Sequence, residues 1–130
     1  MKYLTKEEII KIHKEIVQLY GIDSTILQPS NIDISIEAPK RMVYGIEIYN
    51  SLTKKAAALM LNLLKLHPFV DGNNRTGLAA TSLFLEINGR ELTSNSTSEV
   101  NACLETSICT WELDSVTQWI QNNSRRKFFD

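Results

Sequence analysis

The run His67-Pro68-Phe69-Val70-Asp71-Gly72-Asn73-Asn74-Arg75-Thr76-Gly77 gathers an imidazole, a carboxylate, two carboxamides and a guanidinium around a glycine turn. Those residue types at that spacing suit phosphate chemistry. Gly72, Asn73 and Asn74 tolerate positive φ, and they stand where a helix begins, so backbone N–H groups and the helix dipole there attract an anion. Arg75 in the first turn supplies a planar fork for phosphate oxygens. A cation at a helix N-terminus is unfavourable unless an anion sits there too. Asp71 is a hard oxygen ligand beside that anion hole and suits Mg²⁺ bridging to a polyphosphate such as ATP. His67 follows the end of the preceding helix and is the residue type that takes a proton near neutral pH, as a general base must. Phe69 carries no chemistry and is expected to pin the loop into the core. Gly72 and Gly77 have the spacing of a Walker loop, but Leu78-Ala79 stand where Lys-Ser/Thr belongs and a helix precedes the run, so this is not a P-loop. The bland alternative is a polar turn in which His67 caps carbonyls and Asp71 caps the next helix.

Two helices must hold this loop. One runs from about Thr53 to Leu66, with Ala56, Leu59, Met60, Leu63 and Leu64 on its buried side. The other begins near Asn74 or Arg75 and ends at Gly89; it is apolar on nearly every face (Leu78, Ala79, Leu83, Leu85), the pattern of a helix at the centre of a bundle. Before them, Thr5 and Glu8 form a capping box, Ile9, Ile12, His13, Ile16, Val17 and Tyr20 repeat at helical spacing, and Gly21 supplies the left-handed cap. His13 falls on the buried stripe and reads as a hydrogen-bonded core histidine. Ile32, Ile34 and Ile36 alternate like a strand, although Ser30 can cap a short helix over the same residues. Pro39 ends that element, and Met42 to Tyr49 reads as a short extended piece or hairpin, with Tyr44 and Tyr49 placed either to pack beneath it or to hold a peptide. Helices are expected near 97–109 (Val100, Cys103, Leu104, Ile108) and 114–122 (Val116, Trp119, Ile120), and Ser124 to Lys127 as a solvated tail. The fold class is therefore all-α, a compact helical bundle with Met42 to Tyr49 as its candidate small β-hairpin, in a single domain over 1–130.

With 43% hydrophobic and 22% charged residues, the chain can build a core, and its net charge of -1 offers no basic field for nucleic acid. No apolar run approaches the roughly 20 residues of a membrane span. Met1 leads at once into charged residues, unlike a secretory signal, and Cys103 and Cys109 match neither a Cys-x-x-Cys nor a zinc pattern. A cytoplasmic protein with two free thiols is expected.

Residues 67–76 resemble the signature of the Fic/Doc family, His-x-Phe-x-Asp/Glu-Gly-Asn-Gly/Lys-Arg. The stretch Glu8-Ile9-Ile10-Lys11-Ile12-His13 with Tyr20-Gly21 is similar to the first helix of its Doc (death-on-curing) toxin branch. The resemblance implies a helical fold of the Fic/Doc type and an enzyme that modifies a hydroxyl of a target protein, with a translation elongation factor as candidate target. It implies that His67 is the base, that Asp71 holds Mg²⁺, that Asn73 and Arg75 bind phosphates of ATP, and that the backbone from Gly72 to Asn74 forms the anion hole. It makes the segment Pro39 to Tyr49, with Tyr44, Gly45 and Ile46, the flap that docks the target. Three positions bear on the reaction. Position 74, Gly in adenylylating members and often Lys in phosphorylating ones, is Asn here. Position 78, a second Arg in many AMP-transferring members, is Leu as in Doc. Position 72 is Gly as in Fic, where Doc has Ala. Length, Leu78 and the first helix favour transfer of the γ-phosphate over transfer of AMP.

The family's self-inhibitory motif, Ser/Thr-x-x-x-Glu-Gly/Asn, is not matched: Ser82 and Glu86 have the spacing, but Ile87 follows. An unrestrained transferase would harm its host, so a separate antitoxin is expected, as in a toxin–antitoxin pair. Two alternatives compete: a non-catalytic module that only binds nucleotide, which would need no base, and a metal-dependent hydrolase, for which two histidines far apart in sequence make a poor zinc site.

Overall fold

The computed structural model describes residues 1–93 and 112–127. The helix expected over 97–109, Cys103, Cys109 and Trp111 lie outside the described residues. Within them are five α-helices and two short antiparallel strand pairs: α1 (Lys6–Tyr20), α2 (Pro29–Glu37), a 3₁₀ turn (Ala38–Lys40), β1 (Met42–Val43), β2 (Ile46–Glu47), α3 (Leu52–Leu66), α4 (Asn73–Ile87), β3 (Arg90–Leu92), α5 (Leu113–Asn122) and β4 (Ser124–Arg126).

Helix α1 starts on its capping box. The Glu8 N–H donates to Thr5 Oγ1 at 3.2 Å and the Thr5 N–H to Glu8 Oε1 at 3.0 Å. It stops at Gly21, whose φ of 63° lets its N–H close on the Val17 carbonyl at 2.9 Å. The stretch around Ile32, Ile34 and Ile36 is helical, not extended. In a strand Ile32, Ile34 and Ile36 would share a face. In α2, Ile32 is buried, Ile36 half-buried and Ile34 turned out to solvent. Pro29 occupies the first turn and Gln28 is the N-cap, so Ser30 does not cap this helix.

The hairpin is present. Val43 faces Ile46 and Met42 faces Glu47 across a two-residue turn, Tyr44 (φ 50°) and Gly45 (φ 75°), both in the left-handed region such a turn requires. Its base is fixed to α3 by the buried Lys55, whose Nζ donates to the Pro39 carbonyl at 3.0 Å and to Glu47 Oε1 at 3.2 Å.

The centre of the bundle is α3 rather than α4. Helix α3 packs against α2, the 3₁₀ turn, α4 and α5, and Ala56, Ala57 and Ala58 are buried, small enough for neighbours to close on several sides. Leu78 and Leu83 of α4 remain half-buried. Leu59, Met60 and Leu63 of α3 meet Ile9, Ile32, Phe84, Leu85, Val116 and Ile120 in one core. The end of the described chain is not a loose tail. Arg90, Glu91 and Leu92 pair with Arg126, Arg125 and Ser124, a second strand pair that leaves the two arginines exposed but orders the backbone. No helix among the described residues is long and apolar enough to cross a membrane.

Candidate active site

The corner between α3 and α4 is assembled from inside outwards. Phe69 is buried, and Asn73 locks its backbone: the Phe69 N–H donates to Asn73 Oδ1 at 3.0 Å and Asn73 Nδ2 donates to the Phe69 carbonyl at 2.7 Å. This pair fixes the orientation of the amide. The segment following α1 wraps the same loop. The Leu27 and Gln28 N–H groups both donate to the Pro68 carbonyl at 2.9 Å, and the Val70 N–H donates to the Thr25 carbonyl at 3.1 Å. That segment is itself held by Asp23, which accepts from the Thr25 N–H at 2.7 Å. Hydrogen bonds from the Thr25 side chain and backbone hold the Asp23 carboxyl below its usual range. From α2, Asn31 Nδ2 donates to the Leu66 carbonyl at 2.7 Å, the helix-end capping that His67 does not perform.

His67 is the C-cap of α3, exposed, at φ 44° and ψ 63°. Of the loop residues expected to use positive φ, only Gly72 does, at φ 81°; Asn73 and Asn74 are already helical, and His67 takes the second left-handed position. The reason is that α4 starts one residue earlier than expected, with Gly72 as its N-cap. Asn73 Nδ2 lies 3.4 Å from His67 Nδ1. With the amide fixed, Nδ1 is the acceptor, which leaves the proton of the neutral ring on Nε2. At that length the hold is weak.

Asp71 is exposed, and its Oδ1 accepts from the Gly72 N–H at 2.7 Å. A Cβ on Gly72 would stand 2.7 Å from Ile22 Cδ1. Arg75, also exposed, lies with Cζ 4.0 Å from the ring centroid of Tyr20, the last residue of α1. His67, Asp71, Gly72, Asn73, Asn74 and Arg75 thus share one helix-loop-helix corner. No group of three or more His, Cys, Asp or Glu among the described residues forms a metal cage. One exposed carboxylate at a helix N-terminus fits Mg²⁺, which binds through one or two carboxylates plus phosphate and water.

Tyr44, Gly45 and Ile46 are not part of that corner. They form the hairpin tip, with Tyr44 99% and Ile46 72% exposed, and the hairpin is tied to the opposite end of α3. Lys55 and His67 are separated by roughly 18 Å of helix at 1.5 Å per residue. A groove of about 490 Å³ lined by Asp33, Ile34, Glu37, Ala38, Arg41, Asn62 and Leu66 runs between α2 and α3 from the hairpin base to the residue before His67. Tyr49 lines a separate groove with Leu61, Asn62 and Lys65. The sequence marks Tyr20 only as part of the first helix, and it does not mark Thr25, Leu27, Gln28 and Asn31. Their contribution is backbone pairing, capping and ring stacking across long sequence distances, and no local pattern marks it.

The sequence profile of the Fic/DOC family matches residues 3–85, from the segment before α1 to the last turn of α4. Over 94 residues the chain is 34% identical to Toxin Doc of Mycolicibacterium smegmatis (strain ATCC 700084 / mc(2)155), an alignment that covers 72% of this chain and 70% of that protein.

Proposed function

Since this chain belongs to the Fic/DOC family, we propose that it is a Doc-type toxin that transfers the γ-phosphate of Mg-ATP to a hydroxyl of a target protein. The observation that carries the reading is His67 itself. A left-handed helix C-cap is ordinarily glycine, and a side chain there costs about 1–2 kcal/mol. Packing does not require this one, because it is exposed. Strain held at an exposed titratable residue, beside an exposed carboxylate and arginine, is the mark of a working site.

In this reading His67 takes the proton of the target hydroxyl on a ring nitrogen. The hydroxyl oxygen then forms its bond to the γ-phosphorus while the bond to the bridging oxygen breaks, and ADP leaves. The N–H groups of the first turn of α4 and Arg75 hold the phosphates. Asp71 holds Mg²⁺, which when bound neutralises developing phosphate charge. Asn73 contributes through its backbone, because its side chain is committed to Phe69. The target, with a translation elongation factor as candidate, docks on the hairpin tip Tyr44-Gly45-Ile46 and lies along the groove towards His67. Leu78 is half-buried against the core, so the second turn of α4 offers no guanidinium to hold β- and γ-phosphates in the pose that AMP transfer needs. Restraint by a separate antitoxin in the cytoplasm completes the reading.

Parallel reactions with α-labelled and γ-labelled ATP test it. Label is expected in protein mainly from the γ position, with some AMP transfer recovered in Asn74→Gly. Label entering only from the α position would replace phosphate transfer by AMP transfer. Label from neither, with folded protein and a susceptible lysate, would remove the transferase assignment.

A further inference from the structure

One buried titratable side chain plays no part in the scheme above, yet touches the loop at three residues. His13 of α1 is 2% exposed. Its Nε2 lies 2.8 Å from the Asp71 carbonyl oxygen. A carbonyl only accepts, so Nε2 carries a hydrogen and donates it. The imidazole lies flat on Phe69, with ring centroids 3.7 Å apart and planes 6° from parallel. Its edge also faces Gly72, where a Cβ would stand 3.5 Å from His13 Cδ2 and 3.6 Å from Nε2.

An ordinary core histidine would need only space and one partner. Here a single ring stacks on the residue that anchors the loop, bonds the backbone of the residue with the exposed carboxylate, and borders the glycine that starts α4. Holding the Asp71 carbonyl inward fixes the peptide on that side of Asp71, so its carboxylate stays on the solvent face beside the first turn of α4. An apolar ring could fill the same volume, but it could not donate to the carbonyl. We propose that His13 is a positioning residue, which acts through Asp71 to hold the divalent cation of the transfer reaction. The inference rests on the reading that Asp71 is the metal ligand.

The test uses Mn²⁺ in place of Mg²⁺, bound with a non-hydrolysable ATP analogue and followed by electron paramagnetic resonance, alongside thermal melting and steady-state kinetics. His13→Phe keeps a ring over Phe69 and loses the donor; His13→Gln keeps an N–H close to the position of Nε2 and loses the ring. His13→Phe should fold and should weaken Mn²⁺ binding roughly tenfold, the usual scale for a residue that orients a metal ligand. His13→Gln should recover most of that affinity, even if it melts lower. In kinetics the His13→Phe deficit should shrink as Mg²⁺ is raised, which a merely structural role would not produce. Unchanged Mn²⁺ affinity in folded His13→Phe, with Asp71→Asn impaired, overturns the proposal and leaves Asp71 as ligand. Equal affinity in wild type and Asp71→Asn overturns the metal assignment itself, and this inference with it. Should His13→Phe fail to fold, His13→Gln decides: affinity near that of wild type supports the role, and a roughly tenfold loss despite the retained donor overturns it.

Discussion

Asn73 and Phe69 exchange two hydrogen bonds, side-chain amide to backbone N–H and carbonyl, at 3.0 and 2.7 Å. That exchange closes the loop before α4 begins. Asn73→Ala should leave two buried polar groups of Phe69 unpaired and cost about 2–6 kcal/mol, at roughly 1–3 kcal/mol for each orphaned group. Asn73→Asp should also be poor near neutral pH, because it keeps the acceptor for the N–H but sets a carboxylate oxygen against the Phe69 carbonyl. Protonation restores a donor towards that carbonyl, so the deficit of Asn73→Asp should narrow as pH falls. Urea melts across pH measure it, and a deficit that widens on acidification would refute the geometry.

His67→Gly separates stability from activity. Releasing a non-glycine residue from φ 44° is worth about 1–2 kcal/mol, and the added freedom of the unfolded chain offsets roughly 0.5–1 kcal/mol of it. The variant should be no less stable than wild type, and by up to about 1.5 kcal/mol more stable, while transfer falls about 10²–10⁴-fold. A variant that keeps wild-type transfer would remove His67 from the chemistry.

Tyr20 should prove to matter for nucleotide through Arg75, whose guanidinium lies 4.0 Å from its ring centroid. An exposed contact of this kind is worth roughly 0.5–1 kcal/mol. Tyr20→Ala should therefore weaken Mg-ATP binding about two- to fivefold by that estimate, and Tyr20→Phe much less. Arg75→Ala should lose more, and Arg75→Lys should not restore it, because an ammonium cannot grip two oxygens in one plane. Calorimetry giving one affinity for Arg75→Ala and wild type would end the clamp assignment.

The hairpin offers an asymmetric pair. Lys55 is buried and bonds both the Pro39 carbonyl and Glu47, whereas Glu47 is half exposed. Lys55→Met, which keeps the apolar stem, should cost about 1–3 kcal/mol by orphaning that carbonyl. Glu47→Gln should cost under about 1 kcal/mol, as a partly solvated ion pair does. Denaturant melts giving the reverse order would make the ion pair, not the carbonyl, the anchor of the hairpin.

Local chemistry was enough for part of this molecule. The capping box at Thr5 and Glu8, the stop at Gly21, the apolar periods of α1, α3 and α5 and the turn before α4 act over a few residues each, and each is legible without knowing what lies opposite. The corner residues from His67 to Arg75 were legible for the same reason: their spacing places them at one helix start whatever the rest of the chain does.

Other features depend on partners distant in sequence, and only the tertiary structure decides them. The isoleucines at 32, 34 and 36 satisfy both strand and helix periods; packing of Ile32 into the core beside α3 selects the helix. Helix α4 looks more central than α3 because it is apolar on nearly every face, yet the small alanines of α3 let neighbours approach on more sides. Ser124 to Arg126 read as solvated because their side chains are polar, but a strand is held by backbone bonds, to which composition is nearly blind. His13 is visible in sequence as a buried histidine. That its hydrogen meets the Asp71 carbonyl and its face meets Phe69 follows from how α1 lies across the loop, a relation between residues 58 positions apart.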